Sequence, residues 1–162
     1  MNDTPYFAMN ADDRGGAPLA ALAGLRPHER RLLLLALPIV LSARAGLWLL
    51  TPRRLAPMLV RLAEATAAPQ AHTDYAERAA RAVARASRLV PGADSLTQAM
   101  ATLTLMRRRG LTGRLRRGVR RDRRGALLTH AWVEHNGRVI IGGPRERIAQ
   151  YTPLPGSRRD RI

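Results

Sequence analysis

The dipeptide Asn136-Gly137, set between "ALLTHAWVEH" (126–135) and "RVIIGG" (138–143), constrains this chain more than any other feature. Asn-Gly accepts the positive φ angles of a type I′ turn, whose twist matches that of two antiparallel strands. The flanking runs are apolar and carry β-branched and aromatic residues, as strands do. They therefore pair as a hairpin, with 135 opposite 138 and 134 opposite 139. Continued regularly, this register sets His130 opposite Gly143. His130, Trp132 and Glu134 share one strand face, because side chains alternate. A group that orients the His130 imidazole from the returning strand must then come from Ile141, Gly142 or Gly143.

Upstream of Gly110 the pattern is helical. Residues 27–50 predict a helix kinked at Pro38. In "TPRRLAPMLVRLAEAT" (51–66), Thr51 caps a second helix and Pro52 opens it. A connector follows at 68–73. Residues 74–90 place Ala79, Val83, Ala86 and Val90 on one stripe, opposite Arg81, Arg85 and Arg88. After the "PGAD" break (91–94), residues 95–110 set Leu96, Ala99, Met100, Leu103 and Met106 at helical spacing, capped by Asp94 or Ser95 and stopped by Gly110. "GRLRRGVRR" (113–121) predicts a strand, "DRRG" (122–125) a turn, and the tail from Pro144 an irregular basic segment. Helices followed by strands define an α+β domain, with N-terminal helices packed on a small antiparallel sheet. The expected organisation is a disordered segment at 1–25, one folded domain at 26–154 and a basic tail at 155–162.

Composition narrows the chemistry. With aromatics at 4%, the core rests on Leu, Ala, Val and Ile. No cysteine is present, which excludes disulfides and thiolate metal sites. His28, His72, His130 and His135 are the only histidines, and no two share the spacing of helical zinc ligands. Neither a metal nor a cofactor is expected. The net charge is +16 and all 28 basic residues are Arg, which implies either biased composition or an acidic partner. Ten of these arginines fall between Arg107 and Arg124, without the interleaved aromatics of a single-strand binder, so no nucleic-acid partner is expected. The run "RLLLLALPIVLSARAGLWLL" (31–50) has an uninterrupted apolar part of only about 10 residues, too short for a transmembrane span. The N-terminus lacks the basic start and apolar core of a signal peptide, and the expected location is the cytoplasm.

A helix start suits a nucleophile, since its unpaired N–H groups and dipole stabilise negative charge. Ser95 occupies such a start. By itself a serine there also serves as an N-cap, and a strand histidine also fills space. A helix-start nucleophile followed by a histidine on a later strand is the layout of papain-like and transglutaminase-like enzymes. The segments "PGADSLTQAMATLTLMRRRG", "GRLRRGV" and "HAWVEHNGRV" together resemble the leader peptidase family of lasso-peptide biosynthesis, a branch of the transglutaminase-like cysteine proteases. The resemblance covers residues 30 to 154, and "HAWVE" before a Gly-containing turn is its most specific piece.

The resemblance implies a transglutaminase-like, papain-like core and a Cys-His type site. The family has a Cys immediately before the "LxxA" of this helix, which attacks the scissile carbonyl; here Ser95 stands in that place. A histidine at the position of His130 is the general base. An Asp on the strand after the hairpin orients it, where this chain has Gly142 and Gly143. Glu134 and Asn136 are candidates for the third member, with Glu146 more remote. Serine is isosteric with cysteine but not ionised near neutral pH. Ser95 is thus either an inactivating substitution or a natural variant that is slow or silent. The implied activity is removal of the leader segment from a lasso-peptide precursor. A separate precursor-recognition protein and a macrocyclase are the implied partners. Two alternatives stand beside it. One is a non-catalytic, Arg-rich scaffold that binds the precursor or those partners; the other is a polyanion or membrane-surface binder acting through charge alone.

Overall fold

The computed structural model describes residues 26–49, Met58, Arg61 and 74–155. The expected leader at 1–25, the connector at 68–73, His72 and the tail beyond 155 lie outside the described residues. So does the helix expected at 51–66, apart from Met58 and Arg61, which are helical.

Among the described residues, three helices with stated bounds precede the sheet: α1 at Pro27–Leu49, α2 at Asp74–Ser87 and α3 at Ser95–Arg107. Glu29 reaches back to the Arg26 N–H at 3.1 Å, satisfying a donor that the first turn of α1 leaves open. Helix α1 runs through Pro38 unbroken, and its 23 residues are long and apolar enough to cross a membrane by length and composition. The shortness of its apolar run therefore does not exclude a span. Packing speaks against one instead: Leu33, Ala36, Ile39, Val40 and Ala43 are buried in the core, and α1 contacts both α2 and α3. Helix α2 presents alanines at this interface, and the expected stripe of Ala79, Val83, Ala86 and Val90 is buried throughout. It ends at Ser87, and the last expected turn to residue 90 forms hydrogen-bonded turns instead.

Helix α3 is the centre of the domain. The sequence pattern suggests one apolar face, yet Thr97, Ala101, Thr102, Thr104 and Leu105 are buried along with the expected Ala99, Met100, Leu103 and Met106. The small residues let α1, α2 and the sheet approach it together, and Thr104 satisfies its hydroxyl on the Met100 carbonyl at 2.9 Å.

The sheet is antiparallel, in the order β3-β2-β1-β4, from β1 (Arg114–Arg121), β2 (Leu127–His135), β3 (Arg138–Ile141) and β4 (Thr152–Pro153). Leu115, Ala131, Val133 and Ile141 turn one face onto α3 and the core. The tail expected to be irregular is ordered: Arg145–Ile148 form a single helical turn, α4, and β4 pairs with the far edge of β1 at Gly118 and Val119. The hairpin turns at Asn136 and Gly137, both with positive φ. Its register begins as expected, His135 with Arg138 and Glu134 with Val139, but then slips by one residue, so that Val133 pairs with Ile141. A bulge of this kind bends the strand and re-aims the residues beyond it.

Candidate active site

Asp94, and not Ser95, caps α3. Its Oδ1 accepts the Thr97 N–H at 2.8 Å and the Thr97 hydroxyl at 2.7 Å. Ser95 is thereby relieved of the capping role that serines at helix starts commonly fill. Its Oγ instead accepts the backbone N–H of Ala131 at 3.2 Å. Ala131 follows His130 on β2, so the start of α3 is held on the strand residue next to the histidine. That segment is open because β3 pairs β2 only from Val133 to His135, leaving the earlier β2 residues with β1 alone as a partner strand. Ser95 and His130 are both half-buried.

The His130 Nε2 lies 2.6 Å from the Gly142 carbonyl oxygen. A carbonyl only accepts, so Nε2 carries the proton and, in the neutral ring, Nδ1 keeps the lone pair. The imidazole stacks with Tyr151 at a centroid separation of 5.1 Å and with Trp132 at 6.4 Å. Across β1 its partner is Gly118. A Cβ there would fall 2.8 Å from the Tyr151 Cβ and 3.2 Å from the Trp132 ring, so a missing side chain makes room for the aromatic group.

The orienting group is a backbone carbonyl that lies just beyond the bulge. By shifting β3 one residue, the bulge brings Gly142 against Trp132. Gly142 has φ of +121°, and a Cβ on it would sit 2.3 Å from the Trp132 Cβ. No aspartate fits there without displacing the strand; a backbone oxygen does. The expected range of 141 to 143 for the orienting group is thus matched by a carbonyl, while the pairing of His130 with Gly143 is replaced by the slipped register.

The other candidates for the third position are engaged elsewhere. Glu134 accepts the Trp132 indole N–H at 3.0 Å and the Arg116 Nε–H at 3.1 Å. Asn136 stands in the turn and donates to the His135 Nε2 at 3.3 Å. Glu146 is exposed on α4. His135 is buried, with Nδ1 donating to the Thr112 carbonyl. Its odd-numbered neighbours Ala131 and Val133 share its face, and that alternation is the available signal. A recess of about 520 Å³ lies beside it, lined by Arg107, Arg114, Asn136 and Gly137 among others, and does not border Ser95 or His130.

Several arginines of the 107–124 stretch have structural partners. Arg116 holds Glu134, Arg120 donates to the Gln150 side chain at 3.0 Å and covers the Tyr151 ring, and Arg121 donates to the Gly125 carbonyl. Among the described residues, no group of three His, Asp or Glu side chains could hold a metal. Sequence reasoning missed Tyr151 and Gly118, neither of which carries a local motif, and it placed the orienting group at 141 to 143 without identifying it as a backbone carbonyl.

A central helix whose first residue abuts a histidine-bearing strand defines a helix-and-sheet domain of the transglutaminase-like kind. The chain belongs to the transglutaminase-like superfamily, whose family model matches residues 34–155. No curated protein and no solved structure gives a significant match.

Proposed function

We propose that this domain acts on the leader segment of a lasso-peptide precursor, with position 95 as the nucleophile and His130 as the base. The observation that supports it best is the Ser95 hydroxyl held on the Ala131 N–H, beside a histidine whose Nδ1 keeps its lone pair. That N–H takes one lone pair of Oγ and leaves the hydroxyl proton to be given up. In the reaction, Nδ1 takes this proton as Oγ attacks the scissile carbonyl. The C–N bond then breaks, the imidazolium returns the proton to the leaving amine, and water hydrolyses the acyl-enzyme. The Gly142 carbonyl keeps the ring in the required tautomer. Being uncharged, it stabilises the transient imidazolium less than a carboxylate does. A separate recognition protein delivers the leader, and a macrocyclase closes the ring of the released core peptide.

A second reading has its own support: serine in the cysteine position and a carbonyl in the acid's position fit a non-catalytic relative that docks the precursor or its partners. Precursor cleavage in the presence of the recognition protein separates the two. The peptidase reading expects Ser95→Cys to cut the leader at least about tenfold faster than the unaltered chain, and the further change His130→Ala to abolish cutting. No cutting by Ser95→Cys, with precursor binding intact, selects the docking reading.

A further inference from the structure

Helix α1 buries one side in the domain and leaves the other apolar. Leu34, Trp48 and Leu49 are 71%, 78% and 70% exposed, and Leu35 and Leu41 are exposed as well. At 3.6 residues per turn, Leu34, Pro38, Leu41, Ala45, Trp48 and Leu49 fall within an arc of about 100°. From Leu34 to Leu49 this arc carries no charge, over a length of about 22 Å. Scattered exposed leucines are ordinary; a continuous stripe of this length marks a contact surface. One turn earlier, the same arc is occupied by exposed Arg30 and Arg31, with Arg26 just before the helix.

We propose that this face of α1 lies on an anionic phospholipid bilayer, parallel to its plane. Three observations select lipid as the occupant. Arginines stand at the start of the stripe, in a chain of net charge +16 with no Lys, which complements an anionic surface. A tryptophan stands at the other end, where its amphipathic ring suits the headgroup level. The inner face of α1, through Leu33, Ala36, Ile39, Val40 and Ala43, is committed to the core, so the helix cannot cross the membrane without dismantling the domain. An interfacial helix normally supplies its own polar face; here the folded domain takes that side. The proposal is independent of the chemistry at Ser95.

The full chain is tested by flotation with vesicles of phosphatidylcholine alone and of phosphatidylcholine mixed with phosphatidylglycerol. Quenching by brominated lipid reports the depth of Trp48, with Trp48→Phe isolating the signal of Trp132. The expected result is binding to the mixed vesicles, quenching that disappears in Trp48→Phe, and binding at least about tenfold weaker in Leu34→Ser/Leu41→Ser. Both leucines are exposed, and circular dichroism checks that the double variant keeps its helices; Leu41→Gln alone is the milder second variant. Three results overturn the proposal: no binding to the mixed vesicles, binding unchanged in both leucine variants, or a dimer without vesicle binding that the leucine changes dissociate. The last assigns the face to a second copy of the chain.

Discussion

His130 and His135 stand on the same strand, five positions apart, and the fold treats them in opposite ways. His135 points to the core side with Ala131 and Val133, is buried, and has both ring nitrogens engaged: Nδ1 donates to Thr112 and Nε2 accepts from Asn136. His130 points to the other face, is half-buried and donates from Nε2 to Gly142, which leaves Nδ1 as the basic nitrogen. At the His135 end β2 is paired on both sides; at the His130 end β3 has stopped and Ser95 takes its place at the strand edge. A histidine becomes a candidate base when its neighbours settle one nitrogen and spare the other. Burial and full satisfaction make the opposite case, a structural imidazole.

The largest effect expected is from Gly142→Ala, which attacks the His130 end at its hinge. The positive φ and the collision with Trp132 together cost about 3–5 kcal/mol, read as a shift in the denaturant midpoint. A change below about 1 kcal/mol removes the reason for a glycine, and for its carbonyl, at that position. Next come the two histidines themselves. His135→Ala removes a buried ring and orphans the Thr112 carbonyl, for a loss of about 2–4 kcal/mol, whereas His130→Ala loses about 1 kcal/mol or less. Equal losses, or the reverse order, erase the contrast between the two ends.

Smaller changes sharpen it. In the Ser95→Cys background, Glu134→Gln leaves cleavage within about threefold and costs about 0.5–1 kcal/mol of stability, because Glu134 serves Trp132 and Arg116 and not His130. A loss of cleavage of about a hundredfold or more assigns the third position to Glu134 after all. The smallest effect is remote from both ends. The Arg26 N–H, with Arg85 and other nearby cations, holds the Glu29 carboxyl below the usual carboxylate range. A depressed folded-state value stabilises above the unfolded value and is lost as the pH falls through the folded one. Glu29→Gln therefore flattens the acid limb of the stability curve below about pH 4, read by melting temperature against pH, and leaves the comparison of the histidines untouched.

Local signals carry much of this molecule. Helical stripes place α2 and α3, and Asn136-Gly137 places the hairpin, because each is decided by residues within a few positions of one another. The features that escape a sequence reading are decided at a distance. Ile140 looks like any strand residue, yet the slip beside it sets Gly142 against Trp132, with the Gly142 carbonyl on His130. Tyr151 sits in a Pro-containing tail and reaches the imidazole only through the pairing of β4 with β1. Ser95 and Asp94 compete for the same cap, and only geometry shows that Asp94 takes it. The burial of His135 is the exception, since strand alternation with Ala131 and Val133 already points it inward.

The proposed pairing of position 95 with His130 can be tested without knowing any substrate. The chain has no cysteine, so Ser95→Cys introduces the sole thiol. Its alkylation by iodoacetamide, followed against pH, reports how readily the thiolate forms. The proposed site, with the imidazole serving position 95 and the Ala131 N–H on the sulfur, predicts a thiol that reacts as a thiolate well below the ordinary cysteine value of about 8.5, and a profile that returns toward that value in His130→Ala. A profile at the ordinary value, unmoved by His130→Ala, contradicts the site.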